Sequence, residues 1–325
     1  MYYSKLDLIQ TEIAIKKIKD HFERRLSEVL NLTRVSAPLF LDADSGLNDN
    51  LSGSEEPVSF NVFNTKLEIV HSLAKWKRNA LGRYHFGMNT GLYTDMNAIR
   101  KDERLDNIHS LYVDQWDWEK IIDKNARTME TLQNTVKQIY GVLRETELFI
   151  KNEYPNLTHR LPEEIYFITT KELEEKYPHL TPKERENAIT KEYKAVFLMQ
   201  IGDILPSGIK HDDRSSDYDD WKLNGDILVY NTVLDQAFEL SSMGIRVDEK
   251  ALVEQCQKAN NLDRLKLPFH QAILNKELPY TIGGGIGQSR MCMFMLDKKH
   301  IGEVQASYWP ESEIEKCKKE NINLL

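Results

Sequence analysis

The sequence predicts an α+β fold, a mostly antiparallel β-sheet flanked by helices, in one domain spanning residues 1–325. Three observations lead there. Apolar, strand-like segments follow one another with hairpin-like links and without regular helical crossovers, which favours antiparallel pairing. Two long stretches, 5–30 and 124–153, space their apolar residues three or four apart, the period of an amphipathic helix. No Pro-, Gly- or Ser-rich linker and no internal repeat divides the chain.

The elements follow in order. In 5–30 the apolar face is Leu6, Ile9, Ile13, Phe22, Leu26 and Val29. Residues 31–40 read as a short strand broken at Pro38, because proline cannot donate to a ladder. A polar loop, 42–53, precedes an alternating segment, 57–63, and a second strand, 66–70, which together suggest a hairpin. A short helix is expected over 71–81. Strands at 91–100 and 108–116 flank the charged loop 101–107, and the long helix at 124–153 follows. Residues 155–192 are polar and helix-rich and read as an insertion. Apolar strands at 195–202 and 225–231 enclose 210–221, a loop that reads as too acidic for the core. A strand at 237–247 ends at Asp248, a candidate N-cap for the next helix. The apolar run 291–296 is expected to be a buried helix.

Composition excludes several classes of function. The 325 residues carry a formal charge of −8, which argues against a chain built to grip nucleic acid. No apolar run approaches the length of a membrane span, and the N-terminus lacks a secretory apolar core. Cys256, Cys292 and Cys317 are scattered without metal or redox spacing, which suggests a reducing, cytoplasmic setting. The nine histidines form no metal-ligand spacing.

The most unusual stretch is Gly283-Gly284-Gly285-Ile286-Gly287-Gln288-Ser289-Arg290. Glycines let a backbone approach a flat or anionic ligand, a following helix N-terminus favours negative charge, and Arg290 offers a fork of donors. Neither a dinucleotide fingerprint nor a Walker A loop fits these glycines. The plain alternative is a glycine-rich turn capping a core helix.

Three signals share one order: 31–40 with its late proline, a strand–Arg100–acidic loop–strand unit over 93–118, and the glycine–Arg290–helix unit. They resemble the three motifs of class II aminoacyl-tRNA synthetase catalytic domains. Within that superfamily the chain is most similar to asparagine synthetase A, the ammonia-dependent aspartate ligases. The strings that carry this likeness are Asp49-Asn50-Leu51-Ser52-Gly53, 71–78 (HSLAKWKR), 112–119 (YVDQWDWE) and 238–247 (FELSSMGIRV), and they cover nearly the whole chain. Two features depart from aspartate-specific synthetases. Those usually space the second-motif arginine and acid as Arg-x-Glu, whereas Arg100 is followed by Lys101-Asp102-Glu103, so either acid could face the nucleotide. The first motif begins at residue 31, so the N-terminal anticodon-binding barrel of those enzymes is not expected.

The resemblance implies conversion of L-aspartate, ammonia and ATP to L-asparagine, AMP and pyrophosphate through a β-aspartyl-adenylate, with Mg²⁺ and a homodimer built on the first motif. Arg100 would hold the α-phosphate and Arg290 the γ-phosphate, beside Gly285, Gly287 and either Asp102 or Glu103. Surface ion pairs are the alternative for both arginines. Asp226 and Glu239 lie near apolar strands, where isolated acids are costly unless paired, and would hold Mg²⁺. An internal salt bridge is their alternative. Arg246 would take the α-carboxylate, or else serve as a structural partner for an acid. Asp49, Gln115, Asp117 and Asp219 are candidates for the amino-acid pocket, with Ser72, Lys77 and Ser242 lining it. Asp49 comes first and Asp219 next as the group that takes a proton from ammonium. Asp117 could instead cap a helix, and Asp219 could be solvated loop charge. His71 is expected to pack or hydrogen-bond rather than catalyse. No cysteine has a histidine partner suggested by sequence, so free ammonia rather than glutamine is the expected nitrogen source. A stand-alone synthetase paralogue and a non-catalytic partner-binding subunit are the competing readings.

Overall fold

A computed structural model describes residues 2–49, 51 and 55–325. Asn50, Ser52 and Gly53 of the first quoted string lie outside the described residues.

The chain opens with helix α1 (Leu8–Leu30), started by an Asp7–Gln10 capping box and stopped by Asn31 in the left-handed region. Strand β1 (Leu32–Arg34) and strand β2 (Phe40–Asp42) follow. The expected single strand over 31–40 is therefore two strands in two different sheets, with Pro38 between them. Strands β3 (Ser59–Val62) and β4 (Thr65–Ile69) form the expected hairpin, and β2 completes a three-stranded sheet with them. Helix α2 (Ala74–Arg83) precedes strands β5 (Gly91–Ile99) and β6 (Tyr112–Ile121). The latter starts later and runs further than its sequence suggested. At its front, the Asp106 carboxylate takes the Ile108 and His109 N–H groups and holds 106–109 in a turn. At its back, Trp116 and Trp118 alternate with polar residues, and this strand pattern carries β6 on to Ile121, past the expected end at Trp116.

Helix α3 (Met129–Glu153), capped by Thr128, leads to β7 (Tyr166–Thr169), α4 (Thr170–Lys176), α5 (Pro182–Tyr193) and β8 (Ala195–Met199). The segment read as an insertion thus supplies an edge strand of the main sheet, with β7 parallel to β8. Strands β9 (Asp219–Asn231) and β10 (Gln236–Arg246) form a long hairpin. Helix α6 (Glu249–Lys258) begins at the expected Asp248 cap, and α7 (Pro268–Leu274) follows. The glycine-rich stretch is a strand, β11 (Thr281–Gly287), not a turn, and it runs directly into α8 (Gln288–Met295). Helix α9 (Glu311–Lys319) comes last.

The main sheet has eight strands in the order β1-β5-β6-β11-β10-β9-β8-β7. Only its outer pairs, β1–β5 and β7–β8, are parallel. One face is covered by α1, α3 and α8, where Phe22 meets Trp116 at 4.8 Å between ring centroids. Each large side chain buried there contributes roughly 1.5–3 kcal/mol. The central strands alternate with period two, as half-buried strands must. Trp116, Trp118, Ile282, Ile286, Met243 and Ile245 enter this core. Their neighbours Gln115, Asp117, Glu119, Ser242 and Arg246 therefore share the opposite face, where α2 packs at one side.

The loop read as too acidic for the core is largely buried: Ser215, Ser216, Asp217, Asp219, Asp220 and Trp221 are all inside. Pairing makes this possible. Asp217 meets Lys75, Arg264 and His270, Asp219 meets Arg246, and Asp220 meets Arg127. A buried carboxylate is tolerable when charged and polar partners replace its water.

Candidate active site

A cleft of about 360 Å³ opens over the polar face of β6, β11 and β10. Its floor depends on two glycines. The β6–β11 register sets Gly283 opposite Glu119 and Gly285 opposite Asp117. A Cβ at 283 would lie 2.0 Å from Glu119 Oε2, and one at 285 would lie 2.3 Å from Gln115 Oε1. Only glycine leaves room for those polar side chains to lie across the strand.

Three ion pairs organise the floor. Lys77 donates to Asp117 Oδ1 and to the Gly284 carbonyl, both at 2.9 Å. Asp117 lies mid-strand, so it is not a helix cap, and its buried Oδ2 has no partner among the described residues. Arg246 grips Glu119, with Nη2 to Oε2 at 2.7 Å and Nε to both oxygens at 3.0 Å, and its Nη1 bonds Asp219. Arg246 is thus a structural partner for acids. Yet a guanidinium has five N–H donors, and these bonds leave two for a ligand. Burial would raise the Glu119 carboxyl, but the Arg246 charge and hydrogen bonds hold it below its usual range. For Asp219 burial wins over Arg246 and Arg214, and its carboxyl is raised. Asp219 is buried, not a solvated loop charge.

The first motif's side contributes Asp49, 2% exposed, which takes the Leu51 N–H at 3.1 Å. Burial raises its carboxyl, and Lys75 and Arg100 only partly offset this. His71 packs behind it, its ring nitrogen against the Asp49 carbonyl at 3.2 Å, in the expected supporting role. Ser72 and Ser242 line the cleft.

At the other end stand the two arginines. Arg100 lines the cleft, and its buried Nε has no partner among the described residues. Arg290 reaches the Glu239 carbonyl at 3.3 Å and its carboxylate at 3.5 Å. Gly285 and Gly287 also line this end. Of the two acids after Arg100, Glu103 lines the cleft, whereas Asp102 is exposed and accepts the Glu56 N–H at 3.3 Å.

Asp226 is fully enclosed, and burial, with Glu239 and Asp212 nearby, lifts its carboxyl to about 8 despite Arg214. Its Oδ2 bonds Arg214, while Oδ1 is buried without a partner among the described residues. An orphaned carboxylate oxygen beside half-exposed Glu239 is a donor set that suits a divalent cation. A second cluster, His300, Glu313 and Cys317, brings possible ligand atoms within 4.8 Å. There His300 Nδ1 accepts the Gly302 N–H, so the ring proton sits on Nε2, which faces Glu313. That nitrogen has no lone pair to give a metal.

The chain matches the family model described as aspartate–ammonia ligase over residues 9–321. The chain belongs to the aspartate–ammonia ligase family. It is 62% identical to the aspartate–ammonia ligase of Ruminiclostridium cellulolyticum, over all of this chain and 97% of that protein. It is 63% identical to that of Fusobacterium nucleatum, over all of this chain and 99% of that protein. The asparaginyl-tRNA synthetase of Pyrococcus horikoshii, solved with asparaginyl-adenylate, superposes with a TM-score of 0.66 at 14% identity. The match covers 92% of this chain and 70% of that one, so the family shares the class II synthetase fold.

Sequence reasoning missed several groups that build the site. Glu119, which holds Arg246, was hidden because the strand was ended at Trp116; extending the alternation from Gln115 and Asp117 finds it. Arg214 and Tyr218 line the cleft from the loop read as solvated. Asp114 takes the Ser289 N–H, the Ser289 hydroxyl and the Gln305 amide, and joins β6 to the start of α8. No local pattern marks Gln305, whose role exists only through contacts far along the chain.

Proposed function

We propose that this cleft makes L-asparagine from L-aspartate, ammonia and ATP through a β-aspartyl-adenylate. The observation that carries the reading is polar capacity left open in one cleft: among the described residues, Asp117 Oδ2 has no donor and Arg100 Nε no acceptor. A zwitterion and a polyphosphate would supply both. The Asp117 oxygen suits the α-ammonium of aspartate, and the two free N–H groups of Arg246 suit its α-carboxylate. That orientation leaves the β-carboxylate directed to Arg100.

Arg100 and Arg290 then neutralise phosphate charge, Arg100 at the α-phosphate and Arg290 at the γ-phosphate, beside Gly285, Gly287 and Glu103. A β-carboxylate oxygen bonds to the α-phosphorus, and the bond to the leaving pyrophosphate breaks. Fixed donors aimed at the charge that develops there lower the barrier. Asp226 and Glu239 would hold Mg²⁺, which supplies further neutralisation of the phosphates when bound. Asp49, kept basic by burial, takes one proton from ammonium. The resulting NH₃ bonds to the acyl carbon, AMP leaves with the electron pair, and a second proton departs as the amide forms. Asp219 is the next candidate for proton removal. The three cysteines, all buried and unpaired, support a cytoplasmic setting.

The test is product analysis with aspartate, ammonium, ATP and Mg²⁺. Equal amounts of asparagine, AMP and pyrophosphate are expected. ADP and phosphate would remove the adenylate, and efficient use of glutamine would remove the ammonia step.

A further inference from the structure

Gln305 is 5% exposed and lines the cleft beyond the phosphate end, near Ile108, Ser110 and Ile301. Its amide is held in one orientation. Nε2 donates to Asp114 Oδ1 at 3.1 Å and to Ser289 Oγ at 3.0 Å. The Ser289 hydroxyl already gives its proton to Asp114 Oδ2 at 2.8 Å, so Ser289 Oγ can only accept. Asp114 is itself fixed by the Ser289 N–H and by Lys19 at 3.2 Å. Turning the amide over would set its oxygen against a carboxylate and a hydroxyl with no proton to give.

The consequence falls on Oε1. It is buried, and no donor among the described residues reaches it. A buried amide oxygen without a partner is costly, and such groups usually await a ligand. The surrounding wall is rigid: Ile301 N–H donates to the Asn107 carbonyl at 2.8 Å, and Ser110 and Ser307 hydroxyls meet at 2.8 Å. Segments 107–110 and 301–307 therefore close this end of the cleft together.

We infer that Gln305 Oε1 is a specificity-determining acceptor that reads a hydrogen-bond donor on the nucleoside of ATP. The inference rests on the proposed use of ATP. ATP offers such a donor in two places, the ribose hydroxyls and the exocyclic amine of adenine. Triphosphate clamps alone do not distinguish one nucleoside from another, whereas a fixed acceptor does, because an analogue lacking the donor leaves it unpaired. The Asp114–Ser289–Gln305 network links this reading to α8, which carries Arg290.

The test compares ATP with 2′-deoxy-ATP, 3′-deoxy-ATP and inosine triphosphate, in which the amine is replaced by an oxygen. Wild-type protein is expected to lose roughly tenfold in kcat/KM on the analogue that lacks the donor read by Gln305, one neutral hydrogen bond's worth. Loss with a deoxy nucleotide assigns the ribose, and loss with inosine triphosphate assigns the amine. Gln305→Met should lower kcat/KM for ATP by a similar factor and leave the discriminated analogue unchanged. No discrimination by wild type, or an equal fall on all four nucleotides in the variant, overturns the inference. Failure of wild type to release AMP from ATP would instead sink the proposed function.

Discussion

Asp49 and Glu239 separate two jobs that acids can do in one cleft. Asp49 is enclosed, and burial raises its carboxyl against the opposing pull of Lys75 and Arg100. A raised base is better matched to taking a proton near neutral pH, and it must be ionised to act. Activity should therefore rise with pH as this group ionises and proton removal from ammonium becomes easier. Asp49→Asn should abolish asparagine formation while ATP–pyrophosphate exchange with aspartate persists. Wild-type turnover in that variant would move the role elsewhere, with Asp219 next. Glu239 differs in that its side chain is 39% exposed. Glu239→Gln keeps its shape and removes its charge. The Mg²⁺ concentration for half-maximal rate should rise and kcat should fall, whereas an unchanged Mg²⁺ titration returns Glu239 to a structural partnership with Arg290.

At the level of elements, β11 and the 213–219 segment explain what could and could not be read from the sequence. The glycines of β11 were conspicuous, but their purpose was not. They make space for side chains of β6, a relation between strands over 160 residues apart in sequence. Gly285→Ala should leave thermal stability largely intact and lower kcat by on the order of 10²-fold, the usual penalty for about 1 Å of misplacement. Unchanged kcat would show that Gln115 and Asp117 can give way freely. Most helices and strands were legible because their apolar period is local. The 210–221 loop was misjudged because its counter-charges lie on α2 (Lys75), before α7 (Arg264) and within α7 (His270). Burial opposes ionisation of Asp217, but Lys75, His270 and Arg264 outweigh it and hold the carboxyl well below its usual value. Such a depressed group adds stability that is fully present above its unfolded value, about 3.9, and is lost as pH falls through the folded value. Asp217→Asn would leave buried cations unpaired, at a cost of about 3–5 kcal/mol. Its melting temperature should drop most above pH 4 and approach wild type in stronger acid; a uniform drop at every pH would mean packing, not charge, is lost.

On the scale of the whole molecule, the three-stranded sheet β2-β4-β3 stands apart from the eight-stranded one and exposes an apolar surface. Phe40 and Phe60 meet edge to face at 5.3 Å, and Leu39, Val62 and Phe63 lie in or beside the same strands. Phe63 is 97% exposed at the hairpin turn. A contiguous exposed apolar surface of this kind fits a partner that covers it. The sheet is built from the chain that joins the first motif to α2, which carries Lys77 into the cleft. We propose that a second copy packs here. Burying one phenylalanine side chain contributes roughly 1.5–3 kcal/mol, and in a symmetric dimer each lost contact counts twice. Phe60→Asp combined with Phe63→Asp should therefore shift the mass in sedimentation from two chains to one at micromolar concentration. Activity should fall with the dimer and recover in part at high protein concentration. A wild-type protein that sediments as one chain, or a double variant that remains two chains, would place the partner of this sheet elsewhere.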